Sequence, residues 1–194
     1  MNKTKILLGG LGVCLAAFTG AANAQAWTFY LGGDIVQLET KVDDKTGVPP
    51  IITGSAKAPT LRLKGGAHVL PWLDIELQLV FARDETFSTA GGTNKVETGV
   101  AGLYAKPHHQ VGPVDLYALL GFASSTHEFS GVISGKETAS DVSYGIGAQY
   151  KITPKWAVSI DWMQYTKKNL PVSGLSGGLD VKTSAVGVGL NYTF

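Results

Sequence analysis

One cysteine, Cys14, is all that the 194 residues contain, so neither a disulfide framework nor a cysteine-based metal centre can be built. Charge is scarce as well: Asp, Glu, Lys and Arg make up 16% of the chain, against roughly 25% in ordinary soluble domains. The formal net charge of +1 leaves no basic field to recruit nucleic acid. No apolar run reaches the roughly 20 residues that a membrane-spanning helix needs, and the longest, Ile6 to Phe18, is interrupted by glycine. What is plentiful is glycine, with 25 residues, and apolar side chains, at 44%. A chain short of charge yet rich in both suits thin strands that separate two environments.

The first 24 residues place Lys3 and Lys5 before the apolar run and Ala22, Asn23 and Ala24 after it. This order of charged, apolar and small residues predicts a cleavable secretory signal over 1–24, leaving one domain over 25–194. Cys14 falls within the signal, so the processed chain is expected to carry no thiol. A lipoprotein anchor at Cys14 is disfavoured by the bulk of Val13 before it. Removing Lys3 and Lys5 takes the formal charge from +1 to −1.

Beyond the signal, apolar residues recur with period two, the spacing of a half-buried strand. The pattern predicts eight strands. Trp27 to Val36 sets Trp27, Phe29, Leu31 and Ile35 against Thr28, Tyr30, Gly32 and Asp34. Thr60 to Val69 sets Leu61, Leu63, Ala67 and Val69 against Arg62, Lys64, Gly66 and His68, and Leu73 to Ala82 returns with Asp74, Glu76 and Gln78 on its polar face. That hairpin is expected to bring two cations opposite two anions. Val96 to Lys106 is a strand whose facing the pattern leaves open, because Val100 and Tyr104 compete with Ala101 and Leu103. Asp115 to Ala123, Val142 to Lys151, Trp156 to Tyr165 and Thr183 to Phe194 complete the set. Three short turns, near Pro71, Pro107 and Pro154, alternate with four longer segments: 37–59, 83–95, 124–141 and 166–182.

Short turns alternating with long loops are the plan of a bacterial outer-membrane barrel, with the short turns and both termini in the periplasm. Strands of about ten tilted residues are long enough to cross the hydrocarbon layer. A soluble eight-stranded barrel enclosing a ligand has the same periodicity. It is disfavoured because the non-apolar faces here carry mostly Gly, Ala and Ser with scattered charges, which suits a narrow lumen filled by side chains rather than a wetted surface. Trp72, Tyr104, Tyr150, Trp156, Tyr192 and Phe194 all fall near the short-turn end, where they are expected to form an interfacial girdle. The fold expected is therefore an eight-stranded antiparallel transmembrane β-barrel.

The signal, the Pro71–Glu76 turn, the strand rhythm and the ending Gly189, Tyr192, Phe194 resemble the small outer-membrane barrels of the OmpA transmembrane domain, OmpX and opacity protein group. The resemblance implies that the ending is an assembly signal read by the barrel assembly machinery. It further implies residence among outer-membrane lipid and lipopolysaccharide, and a structural or surface-binding role at the outer loops, such as adhesion, host interaction or membrane integrity. The peptidoglycan-binding domain of full-length OmpA has no counterpart in this sequence, and no loop residue of the group can be carried over.

Arg62, Lys64, Asp74, Glu76, Asp115, Lys151 and Asp161, with Glu97 as a further candidate, are expected to form a structural ion network inside the lumen, because a closed interior must neutralise its own charges. No nucleophile accompanies them, so no catalysis is expected. A lipid A-modifying enzyme is one alternative, yet His127 and Ser130 lack the His-x-Ser-Asn run that marks lipid A deacylases of this size. A narrow channel is the other, and eight strands leave little room for one. The adjacent His108 and His109 in a turn make a poor pair of ligands, so no metal or other cofactor is expected.

Overall fold

The computed structural model describes residues 27–44, 53–81, 84–89, 92–130, 135–170 and 179–194. These form nine strands, all paired antiparallel: β1 (Thr28–Asp44), β2 (Thr53–Leu70), β3 (Leu73–Val80), β4 (Asp84–Thr89), β5 (Gly92–Val111), β6 (Val114–Ser130), β7 (Gly135–Lys151), β8 (Trp156–Leu170) and β9 (Leu179–Thr193). Both β3 and β4 pair with β5, so together they make one interrupted wall strand, and the wall has eight positions. The first and last strands are joined from Tyr30↔Thr193 to Asp44↔Leu179, which closes the barrel. Closure matters in lipid because an open edge would leave backbone donors and acceptors with no partner.

The strand faces are those that the alternation predicts. Leu31, Ile35, Leu61, Leu63, Leu116, Leu120, Phe122, Ile146, Ile160, Val188 and Leu190 are all exposed on the outer surface, while Asp34, Arg62, Lys64, Asp115, Ser143, Ser159 and Asp161 are buried within. An outward row of large apolar side chains around the whole wall is stable only against acyl chains. At the lower rim Trp156 packs against Tyr192 with ring centroids 4.9 Å apart and planes tilted by 59°, and Phe194 meets Tyr192 edge-on at 5.2 Å. With the exposed Trp72 and Tyr150 they form the girdle. Tyr104 does not join it: this ring is 1% exposed and points into the lumen. The facing that the pattern left open is thereby decided, with Thr98, Val100, Tyr104 and Lys106 inside and Leu103 outside.

Three expectations about extent are corrected. Pro107 does not end its strand, since β5 runs on to Val111. Proline cannot donate to a ladder, and the β5–β6 ladder accommodates this by leaving Lys106 and Pro107 unpaired between Ala105↔Leu120 and His108↔Tyr117 with the register unchanged, while Pro107 stands opposite Leu73 on the other side. The turn itself falls at Gly112, whose φ of 61° is the left-handed value glycine tolerates. The long segments, too, are mostly strand: Glu39 pairs with Lys57, Thr126 with Thr138, and Thr166 with Thr183. Polar residues obscured the periodicity there, because a ribbon rising out of the membrane has no lipid face to mark.

Candidate functional site

Inward-pointing side chains fill the lumen in layers. Toward the outer end is an apolar plug that includes Val36, Leu38, Val80, Val100, Leu119 and Met163, all buried. Below it lies Arg62, which has no exposed surface. Its Nε donates to Asp34 Oδ2 at 2.6 Å, its Nη2 to both oxygens of Asp161 at 2.7 and 2.6 Å, and its Nη1 to the Tyr165 hydroxyl at 3.1 Å. Lys64 Nζ joins at 2.9 Å from Asp34 Oδ1 and donates to Ser159 Oγ at 2.8 Å. Asp34 stands directly opposite Arg62 in the β1–β2 register and opposite Gly189 in β9. A β-carbon at Gly189 would overlap the Asp34 carboxylate, and one at Gly187 would lie 2.8 Å from Arg62 Nη2. Glycine at both positions is what lets the ion cluster sit against the wall.

Lower still, Glu76 Oε2 receives Lys106 Nζ at 3.0 Å and the Tyr30 hydroxyl at 2.6 Å, while Gln78 Nε2 donates to its other oxygen at 2.7 Å. The Lys106 ammonium also lies 4.4 Å from the centre of the Tyr117 ring, a cation–π contact. These two layers hold three cations, Arg62, Lys64 and Lys106, and three anions, Asp34, Asp161 and Glu76.

At the periplasmic mouth Asp74 meets His68 Nδ1 at 2.6 Å and His108 Nε2 at 3.4 Å. His108 Nδ1 is 3.2 Å from Asp115 Oδ1, and Gln149 Nε2 donates to Asp115 Oδ2 at 3.1 Å. The mouth opens into a cavity of about 310 Å³ lined by His68, His108, Asp115, Lys151 and others.

Of the sequence-predicted residues, Arg62, Lys64, Asp74, Glu76, Asp115 and Asp161 are buried in the lumen. Lys151 is not among them: it is exposed, and its Nζ reaches Gln110 Oε1 at 2.6 Å, because it is the last residue of β7, at the open mouth. Glu97 is exposed too. The partners also differ from expectation. The β2–β3 register sets Lys64 opposite Gln78 and Glu76 opposite Gly66, so the hairpin's cations turn to β1 and β8 instead of the anions beside them. Sequence reasoning missed Asp34, although alternation had placed it inside, and it missed Lys106, whose strand facing was open. His127 and Ser130 stand in β6 opposite Glu137 and Lys95; their side chains lie outside the described ones, as do residues 1–24 assigned to the signal.

A closed wall with an apolar exterior and an ion-paired interior defines the class: a transmembrane β-barrel of the bacterial outer membrane. Residues 10–194 match the outer membrane protein beta-barrel domain, and the chain belongs to that family. No curated protein matches it in sequence. Among solved structures, Neisserial surface protein A is similar at a TM-score of 0.58 and 16% identity, over 86% of this chain and 97% of that one. OprG of Pseudomonas aeruginosa matches with a TM-score of 0.57 and 13% identity, over 86% and 96%. Ail of Yersinia pestis, crystallised with the heparin analogue sucrose octasulfate, matches with a TM-score of 0.51 and 17% identity, over 86% and 99%. At these identities the likeness is one of fold.

Proposed function

We propose that the barrel serves at the cell surface as a non-catalytic binding element for anionic groups, phosphates of lipopolysaccharide in the first place. One observation carries this reading. Lys41, Lys182 and Lys167 stand directly opposite one another across β1, β9 and β8, exposed and in the outer half of the wall. They are in phase with the outward Val186 and Ile35, so all three ammonium groups point outward rather than into the lumen. Like charges placed opposite one another across strands repel. Glu39 lies 3.5 Å from Lys41 but also 3.4 Å from Lys57, so that side chain leaves the row with a net positive charge. An external anion relieves the repulsion, and the sulfated sugar crystallised with Ail has the matching chemistry. The lumenal ions are given a structural role, since each carboxylate of the two inner layers already holds a cation. The Gly189, Tyr192 and Phe194 ending is assigned to the assembly machinery, with the ring contacts at the rim as its support.

The test is a triple variant, Lys41→Gln with Lys167→Gln and Lys182→Gln. Retention of lipopolysaccharide and of a sulfated polysaccharide by the purified barrel should fall at least tenfold, and wild-type retention should weaken steeply with salt. Retention equal to wild type at low salt would reject the reading.

A further inference from the structure

We propose that His68, Asp74 and His108 form a binding site at the periplasmic mouth for one transition-metal cation of the Zn²⁺ type. The ligand atoms are His68 Nδ1, Asp74 Oδ1 and His108 Nε2, all within 4.8 Å of one another. They come from β2, β3 and β5, and all three side chains converge on the lumen axis beside the cavity.

The position of one proton fixes the chemistry here. Asp115 can only accept through its carboxylate, so at 3.2 Å the His108 Nδ1 is the donor. In the neutral ring Nε2 then carries a lone pair. That nitrogen is buried, makes no hydrogen bond, and faces the Asp74 oxygen across 3.4 Å. Something positive belongs between them, a proton on Nε2 or a metal cation, and 3.4 Å is long for an N–H···O hydrogen bond. Metal–ligand bonds of about 2.0–2.2 Å in tetrahedral geometry set ligand atoms about 3.3 Å apart, so this gap already has the right width. A carboxylate behind a metal-binding imidazole is the usual means of fixing the ring and raising its basicity, and Asp115, itself held by Gln149, supplies it.

His68 completes the set. Its 2.6 Å contact with Asp74 is that of a hydrogen bond, and the incoming cation takes the place of the proton between them. The side chain is one-third exposed at the rim, so the ring has space to move back. The cavity leaves a fourth position for water. Two imidazole nitrogens with one carboxylate oxygen select Zn²⁺, Ni²⁺ or Cu²⁺ over Mg²⁺ and Ca²⁺. The ion pairing agrees: the inner layers are neutral as a set, while among the described residues the mouth carboxylates Asp74 and Asp115 pair with imidazoles and with none of the lysines that line the same cavity.

The barrel, stripped with chelator in detergent and checked for the gel mobility of its folded form, is titrated calorimetrically with Zn²⁺ and with Mg²⁺. Expected are one Zn²⁺ per barrel, no saturable Mg²⁺ binding, and release of about one proton per ion when buffers of different ionisation enthalpy are compared. His108→Ala and His68→Ala should each weaken binding at least tenfold, Asp115→Asn by about 10–100-fold, and the exposed neighbour His109→Ala should leave it unchanged. Absence of saturable Zn²⁺ binding overturns the proposal, and so does equal affinity in a folded His108→Ala barrel. Should one variant fail to fold, the other histidine and Asp115→Asn decide the matter in the same way.

Discussion

Arg62 shows how much a single buried side chain can hold together. Its guanidinium bridges Asp34 on β1 and Asp161 on β8, strands separated by β9, so it braces the wall across the seam where the two chain ends meet. Removing it leaves the buried Asp161 with no cation and Asp34 with Lys64 alone. Arg62→Ala is expected to destabilise the barrel by about 3–5 kcal/mol, measured by urea unfolding in lipid vesicles. Arg62→Lys should recover only part of this, because one ammonium cannot serve both carboxylates with the planar, forked geometry of the guanidinium. A loss below about 1 kcal/mol for the alanine variant would mean that water enters the lumen and solvates the acids. Among individual residues the sequence was legible in part. Arg62 and Asp161 were recognisable as inward charges in a narrow lumen, whereas their union was not, since β2 and β8 are joined by nothing local.

Among the elements, period two told the strands apart from the turns wherever lipid supplied an apolar face, and it lost them above the membrane. Strand lengths show why: β5 has 20 residues and β2 has 18, although about 9–11 suffice to cross. Their outer portions pair into ribbons with polar residues on both faces, a pattern that looks like loop in one dimension. Pro107 misled for a related reason. A proline ends a strand only where its neighbours demand its donor, and the β5–β6 ladder skips Lys106 and Pro107 and resumes in the same register. The outward facing of these elements has a direct test in Leu120, on the exposed face of β6 between Ala105 and Tyr144. Leu120→Arg is expected to cost about 2–4 kcal/mol in a bilayer, the range for a cation near the midplane. In a water-facing sheet the same change would be almost neutral, so unfolding in vesicles distinguishes the two.

For the molecule entire, the stacked apolar plug, arginine cluster and Glu76–Lys106 layer leave the lumen filled above the cavity at the periplasmic mouth. Reconstituted into planar bilayers, the barrel is expected to show no stable open level of the size larger porins give; a steady, sizeable conductance would contradict the packing of Val36, Leu119, Met163 and Arg62. Strand rhythm, the apolar belt and the inward direction of six of the seven ionic residues were already written in the order of amino acids, because each depends on neighbours two positions away in the chain. Which charges meet, which way β5 faces, and the convergence of His68, Asp74 and His108 came only with folding. Those facts depend on register and closure, which set residues from distant strands side by side through backbone pairing that carries no signature in the side-chain order.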